Sequence, residues 1–149
     1  MLLALFVVAY QILGPMPWKD KESRRVNSRL EFFLEKGIEV DLSTVYEIQS
    51  DDAYFLIIPP YYSINKDSCS LPSYASNPHI LETRPALHDG LSRMVVFTQS
   101  RVLMIATVYG RELFCGWSEL LLCSKVNDTI LSVDMSASKP CFKIIRKEN

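Results

Sequence analysis

Glycine is scarce in this chain, five in 149 residues, and histidine scarcer still, at two. So few glycines leave no Gly-x-Gly-x-x-Gly fingerprint and no Walker loop, which removes the common backbone cradles for nucleotide phosphates. A Gly-x-Ser-x-Gly nucleophile elbow is missing as well. The four cysteines, Cys69, Cys115, Cys123 and Cys141, contain no Cys-x-x-Cys pair, so neither a zinc knuckle nor a thioredoxin-type site is expected. Nor is there a basic stripe. The 16 Lys and Arg are scattered and balanced by 17 Asp and Glu, for a net charge of -1, which speaks against a nucleic-acid partner. Internal repeats and low-complexity tracts are absent. No cofactor and no metal is expected.

The first eighteen residues lack any charged side chain, and Met1–Leu13 is apolar apart from Tyr10 and Gln11. A cleaved signal peptide needs small residues at the cut, but Gly14 is followed by Pro15, and Val7-Val8-Ala9 leaves the apolar run too short. A core helix would also suit a run of this length. The reading adopted is an uncleaved hydrophobic helix over residues 1–18, a signal anchor finished by Trp18 at the interface. Lys19, Lys21, Arg24 and Arg25 follow it, and the positive-inside rule would turn the rest of the chain toward the cytoplasm. Four cysteines without metal spacing favour the opposite side, an extracytoplasmic domain that would be periplasmic in a bacterium.

What remains is one globular domain over residues 19–149. Hydrophobic content of 48% and charged content of 22% are ordinary for a folded chain and exclude global disorder. Lys19–Lys36 carries Val26, Leu30, Phe33 and Leu34 at i, i+4, i+7 and i+8, which predicts an amphipathic helix ended by Gly37. Ile38–Val40 reads as an extended link. Thr44–Gln49 alternates like a strand, Ser50-Asp51-Asp52 like a turn, and Ala53–Ile58 like a buried strand ended by Pro59-Pro60. Met94–Gln99 and Arg101–Tyr109 are dense in β-branched and aliphatic residues and predict two consecutive buried strands at the centre of a sheet. Glu112–Cys115 is a short segment between turns. Ser118–Val126, Thr129–Met135 and Cys141–Arg146 complete the strands, the first two joined by Asn127-Asp128 as a hairpin turn. The expected fold class is α+β: an N-terminal hydrophobic helix, one amphipathic helix and a largely antiparallel sheet of about six strands.

Cysteine geometry follows from that meander. With Val126 opposite Thr129, Cys123 opposes Ser132. With Ser136–Lys139 as the next loop, Cys141 opposes Asp134. Cys123 and Cys141 then share a face two strands apart, roughly 9–10 Å, beyond the roughly 7 Å that a bridged Cα pair tolerates. The pairings left are Cys69–Cys141 with Cys115–Cys123, or Cys69–Cys123 with Cys115–Cys141. The first is preferred, because Cys115 and Cys123 flank one turn.

Chemistry-bearing residues are few. His79 and His88 lie in or beside the Pro- and Ser-rich stretch Tyr61–Asp89, and a small envelope hydrolase using either is the enzymatic alternative. Ser63-Ile-Asn-Lys66 and Ser136-Ala-Ser-Lys139 match Ser-x-x-Lys without its companion motifs and carry no weight. Asn127-Asp128-Thr129 is a glycosylation sequon and, more simply, a turn. Long irregular stretches are usually either functional or mobile, and tyrosine suits rigid contact surfaces. The candidate partner-binding residues are therefore Asp51, Asp52, Tyr61, Tyr62, Tyr74 and Trp117. The function expected is a membrane-anchored, extracytoplasmic interaction module that binds and neutralises another protein, as inhibitors and toxin-immunity proteins do. A structural subunit of a membrane complex is a further alternative.

Overall fold

The structure is a computed structural model, and it describes residues 20–48, 50–62, 69, 89–118 and 120–147. The N-terminal hydrophobic segment, Tyr74, His79 and His88 lie outside the described residues. Among those described, no helix is long and apolar enough to cross a membrane.

Helix α1, Lys21–Lys36, forms where the sequence places it. Asp20 is its N-cap, accepting from the Ser23 N–H at 3.0 Å and from the Ser23 hydroxyl at 2.6 Å. Burial pushes the Asp20 carboxyl up. The hydrogen bonds from Ser23 and Glu22, with the Arg24 charge, outweigh that and hold it below its ordinary value. At the other end Gly37, at φ 63, turns the chain left-handed and returns its N–H to Leu34.

After α1 come β1 (Val40–Asp41), α2 (Leu42–Tyr46) and β2 (Tyr54–Ile58). Here the expected strand over Thr44–Gln49 is corrected to a helix. Leu42, Val45 and Tyr46 are all buried, and i, i+3, i+4 is helical spacing. A strand would have pointed Val45 and Tyr46 to opposite faces. Then follow β3 (Ser92–Phe97), β4 (Val102–Val108), the single turn α3 (Gly110–Leu113), β5 (Leu122–Lys125), β6 (Thr129–Asp134) and β7 (Cys141–Arg146).

The expected single sheet is corrected to two antiparallel sheets. One has four strands in the order β4-β3-β2-β5, the other three in the order β1-β6-β7. The Asn127-Asp128 turn is therefore not a hairpin. It hands the chain from β5, paired to β2, to β6, paired to β7 and β1. Val126 N–H reaches back to the Ala53 carbonyl at 2.9 Å, and the Thr129 hydroxyl donates to the Lys125 carbonyl at 2.6 Å. The β6–β7 register does match expectation, with Cys141 opposite Asp134.

Strands β2 and β3 lie inside the larger sheet and are buried on both faces. Phe55, Ile57, Met94 and Val96 join α1, α2 and the smaller sheet in the main core. Leu56, Ile58, Val95 and Phe97 form a second cluster on the opposite face with Cys69. Strand β4, expected at the centre, is an edge, and α1 seals part of it. The buried side chains of Ser23 and Asn27 reach the outward backbone groups of β4 and its exit: Thr107 N–H to Ser23 Oγ at 2.9 Å, Asn27 Nδ2 to the Thr107 carbonyl at 2.9 Å, and Tyr109 N–H to Asn27 Oδ1 at 3.0 Å. Polar groups on a buried helix face thereby satisfy a sheet edge that would otherwise be an aggregation template.

Both disulfides are formed, as Cys69–Cys123 and Cys115–Cys141. The preferred pairing is thus replaced by the other. The sheet split is the reason: Cys123 on β5 sits opposite Leu56, whose face forms the cluster holding Cys69. Meanwhile Cys115 donates its N–H to Phe142 on β7, beside Cys141, at 3.1 Å. Two disulfides point to an oxidising, extracytoplasmic environment.

Candidate partner surface

The larger sheet separates the residues proposed to meet a partner. Asp51 and Asp52 are exposed in a turn before β2, where Ala53 N–H bonds the Ser50 carbonyl at 3.2 Å and Asn127 Nδ2 bonds Asp51 Oδ1 at 3.1 Å. Tyr61 and Tyr62 follow the far end of the same strand. The length of β2, roughly 15 Å at the usual rise per residue, lies between the two groups. Trp117 packs on the main core, across the larger sheet from the cluster that Tyr62 packs on. Arg111 stacks over the Trp117 ring at 5.1 Å, pairs with Asp89 at 2.6 Å and donates its N–H to the Gly90 carbonyl, beside the start of β3. Tyr61 and Tyr62 are neighbours at one end of β2, while Trp117 packs on the other face of the sheet. Adding Asp51 and Asp52 to a tyrosine patch would require contact across the sheet.

Within the tyrosine end the backbone at Tyr61 stands out. Pro59, Pro60, Tyr61 and Tyr62 make a turn closed by Tyr62 N–H to the Pro59 carbonyl at 3.4 Å. Tyr61 occupies its third position with φ 63. Proline second and a positive φ third is the pattern that selects glycine, because a Cβ there meets the backbone. Tyr61 is nevertheless 61% exposed, so burial does not compensate that strain. Tyr62, by contrast, is half-buried and packs on the second cluster.

A concave feature was not foreseen from the sequence. Between the C-terminal half of α1 and α2 lies an open groove of about 580 Å³, lined by Arg29, Phe32, Phe33, Ser43, Thr44, Glu47 and Ile48. Glu47 ends α2 in the left-handed region, at φ 55, and Arg25 and Arg29 clamp its carboxylate. The hydrogen bond and charge of Arg29, aided by Arg25, hold that carboxyl below its ordinary value. Arg29 Nη1 also donates to the carbonyls of Thr44 and Val45 at 3.1 and 3.3 Å, which ties the charged end of the groove to the α2 backbone. Phe32 sits edge-on to Phe33 at 5.5 Å and is 53% exposed. Its signal was readable, since Phe32 is the aromatic of α1 that falls off the apolar stripe.

Among the described residues no cluster of His, Cys, Asp and Glu is arranged to hold a metal ion. No family model, no curated protein and no solved structure matches this chain.

Proposed function

We propose that this chain is an extracytoplasmic interaction module that binds and neutralises another protein, held at the membrane by residues 1–18. Tyr61 carries the reading. A large aromatic side chain is displayed to solvent from a backbone position that costs about 1–2 kcal/mol for any residue with a Cβ. Uncompensated strain at an exposed aromatic marks a residue kept for contact, and tyrosine is among the commonest anchors of protein interfaces. The two disulfides support the compartment.

Replacing Tyr61 by glycine separates contact from stability. Strain relief, partly offset by the added freedom of glycine in the unfolded chain, should leave stability unchanged or raise it by up to about 1 kcal/mol. Affinity for the partner that the full-length protein captures from native membranes should fall by about tenfold or more. Calorimetry and a titration of that partner read the two effects. Undiminished affinity in Tyr61→Gly would move the binding surface elsewhere, and Phe32→Ala would then test the groove. A wild-type capture that recovers nothing above a control would count against the interaction reading itself.

A further inference from the structure

The connection from β5 to β6 carries a motif that the binding reading does not use. Asn127-Asp128-Thr129 fits the acceptor pattern for N-linked glycans: asparagine, any residue but proline, then Ser or Thr. Asn27, Asn65 and Asn77 lack a Ser or Thr at that distance. Three letters arise easily by chance, and a buried match would carry nothing. Where the fold puts the motif decides its meaning.

Asn127 stands at the tip of a turn. Thr129 N–H closes on the Val126 carbonyl at 3.3 Å, with Asn127 and Asp128 as the central pair. Val126 and Thr129 are fully buried, whereas Asn127 and Asp128 are only half-buried. The ends of the turn thus hold the core and its tip is left at the surface. There the Asn127 amide donates from Nδ2 to Asp51 Oδ1 at 3.1 Å, in an exposed contact. An amide nitrogen has two protons. It can keep the Asp51 contact with one after the other is replaced by a sugar.

Thr129 tells when such a replacement has to happen. In the finished fold its hydroxyl donates to the Lys125 carbonyl at 2.6 Å and lies 3.3 Å from Ser124 Oγ, so it is out of reach. Before β6 pairs, the same hydroxyl is free to complete the acceptor. Thr129 opens β6, which lies between β1 and β7, and β7 comes later in the chain. The smaller sheet cannot close until β7 has been made, which leaves the acceptor open during synthesis. The two disulfides point to an oxidising, extracytoplasmic environment, the kind in which secreted chains are glycosylated.

We infer that Asn127 carries an N-linked glycan, added as the chain enters a eukaryotic secretory pathway. The donor is an oligosaccharide linked to a lipid diphosphate. Nδ2 bonds to the anomeric carbon and gives up one proton, while the bond from that carbon to the diphosphate oxygen breaks. The lipid diphosphate leaves with the bonding pair. The glycan then stands beside Asp51, a strand's length from Tyr61, so it covers the acidic turn and leaves the tyrosine end open. With the binding reading it shares only the extracytoplasmic compartment.

The test uses the full-length chain, with its own N-terminal segment, made in cultured animal cells and run on a denaturing gel from whole-cell extract. Peptide N-glycosidase should move the wild type to a faster band. Asn127→Gln should run at that faster position without treatment. So should Thr129→Ala, which keeps the asparagine and removes the hydroxyl. Transfer precedes folding, so a variant that misfolds still reports. A wild type insensitive to the enzyme overturns the inference, as does a shift that persists in either variant. Cysteine mapping of the same wild-type material separates this failure from that of the compartment. Two disulfides without a glycan remove the site alone, whereas four free thiols remove the extracytoplasmic reading as well.

Discussion

Alanine at both Cys69 and Cys123 should lower the unfolding free energy by about 4 kcal/mol, the largest loss expected from removing one covalent link in this chain. The two cysteines are 54 residues apart, so their bond removes a long loop's worth of freedom from the unfolded chain. The Cys115–Cys141 bond spans 26 residues, and because the loop term is logarithmic its removal should cost only about 0.6 kcal/mol less. Cys69 is also part of the second cluster, at 6% exposure, so losing its sulfur adds a packing deficit on that face. Urea denaturation of the two double-alanine variants compares them directly. A Cys69/Cys123 variant more stable than its Cys115/Cys141 counterpart would contradict the loop argument. Peptide mapping without reductant should recover the two observed pairs, and recovery of Cys69 joined to Cys141 would contradict the two-sheet topology from which they follow.

Asn27→Ala should cost about 2–4 kcal/mol, a large effect for one side chain on a helix. Asn27 is 3% exposed, and it makes three hydrogen bonds: to the Ser23 carbonyl at 2.7 Å, to the Thr107 carbonyl at 2.9 Å and from the Tyr109 N–H at 3.0 Å. Alanine would leave the Tyr109 donor and lone pairs of the Thr107 carbonyl facing a methyl group, and each buried orphan costs about 1–3 kcal/mol. A second consequence is solubility. Strand β4 is the edge of its sheet, so loosening α1 uncovers backbone that can pair with another molecule. Thermal unfolding should fall and become concentration-dependent through aggregation. Ser23→Ala, which removes one acceptor, should show a smaller loss of the same kind. A fully stable Asn27→Ala would mean that water replaces the seal.

Legibility followed the range of the interactions. Helix α1 was readable to within two residues because its apolar stripe, its cap at Asp20 and its stop at Gly37 all lie within a few turns of one another. Strands β2, β3 and β7 were readable from local composition, and the β6–β7 register from loop length alone. At α2 two local signals competed. Thr44, Val45 and Tyr46 favour extended chain by residue type, while Leu42, Val45 and Tyr46 have helical spacing. Burial decided for spacing, since Tyr46 is needed inside the core, where its hydroxyl meets the Met94 sulfur at 3.0 Å. The Asn127-Asp128 turn failed differently: a hairpin signal describes the turn and not which edges the flanking strands will find.

Residue order by itself determined that this chain is of the α+β class, where its amphipathic helix runs, that its cysteines lack metal spacing, and that an aromatic residue follows Pro59-Pro60. Those properties are set by neighbours in the chain. Only the tertiary structure decided that the seven strands of the described residues divide into two sheets, which cysteines meet, that Asp51 and Asp52 stand a strand's length from Tyr61, and that the Arg93 Nε is enclosed. The physical reason is that strand partners and buried charges are chosen among segments tens of residues apart, by which edges and faces remain unsatisfied once the local elements have formed.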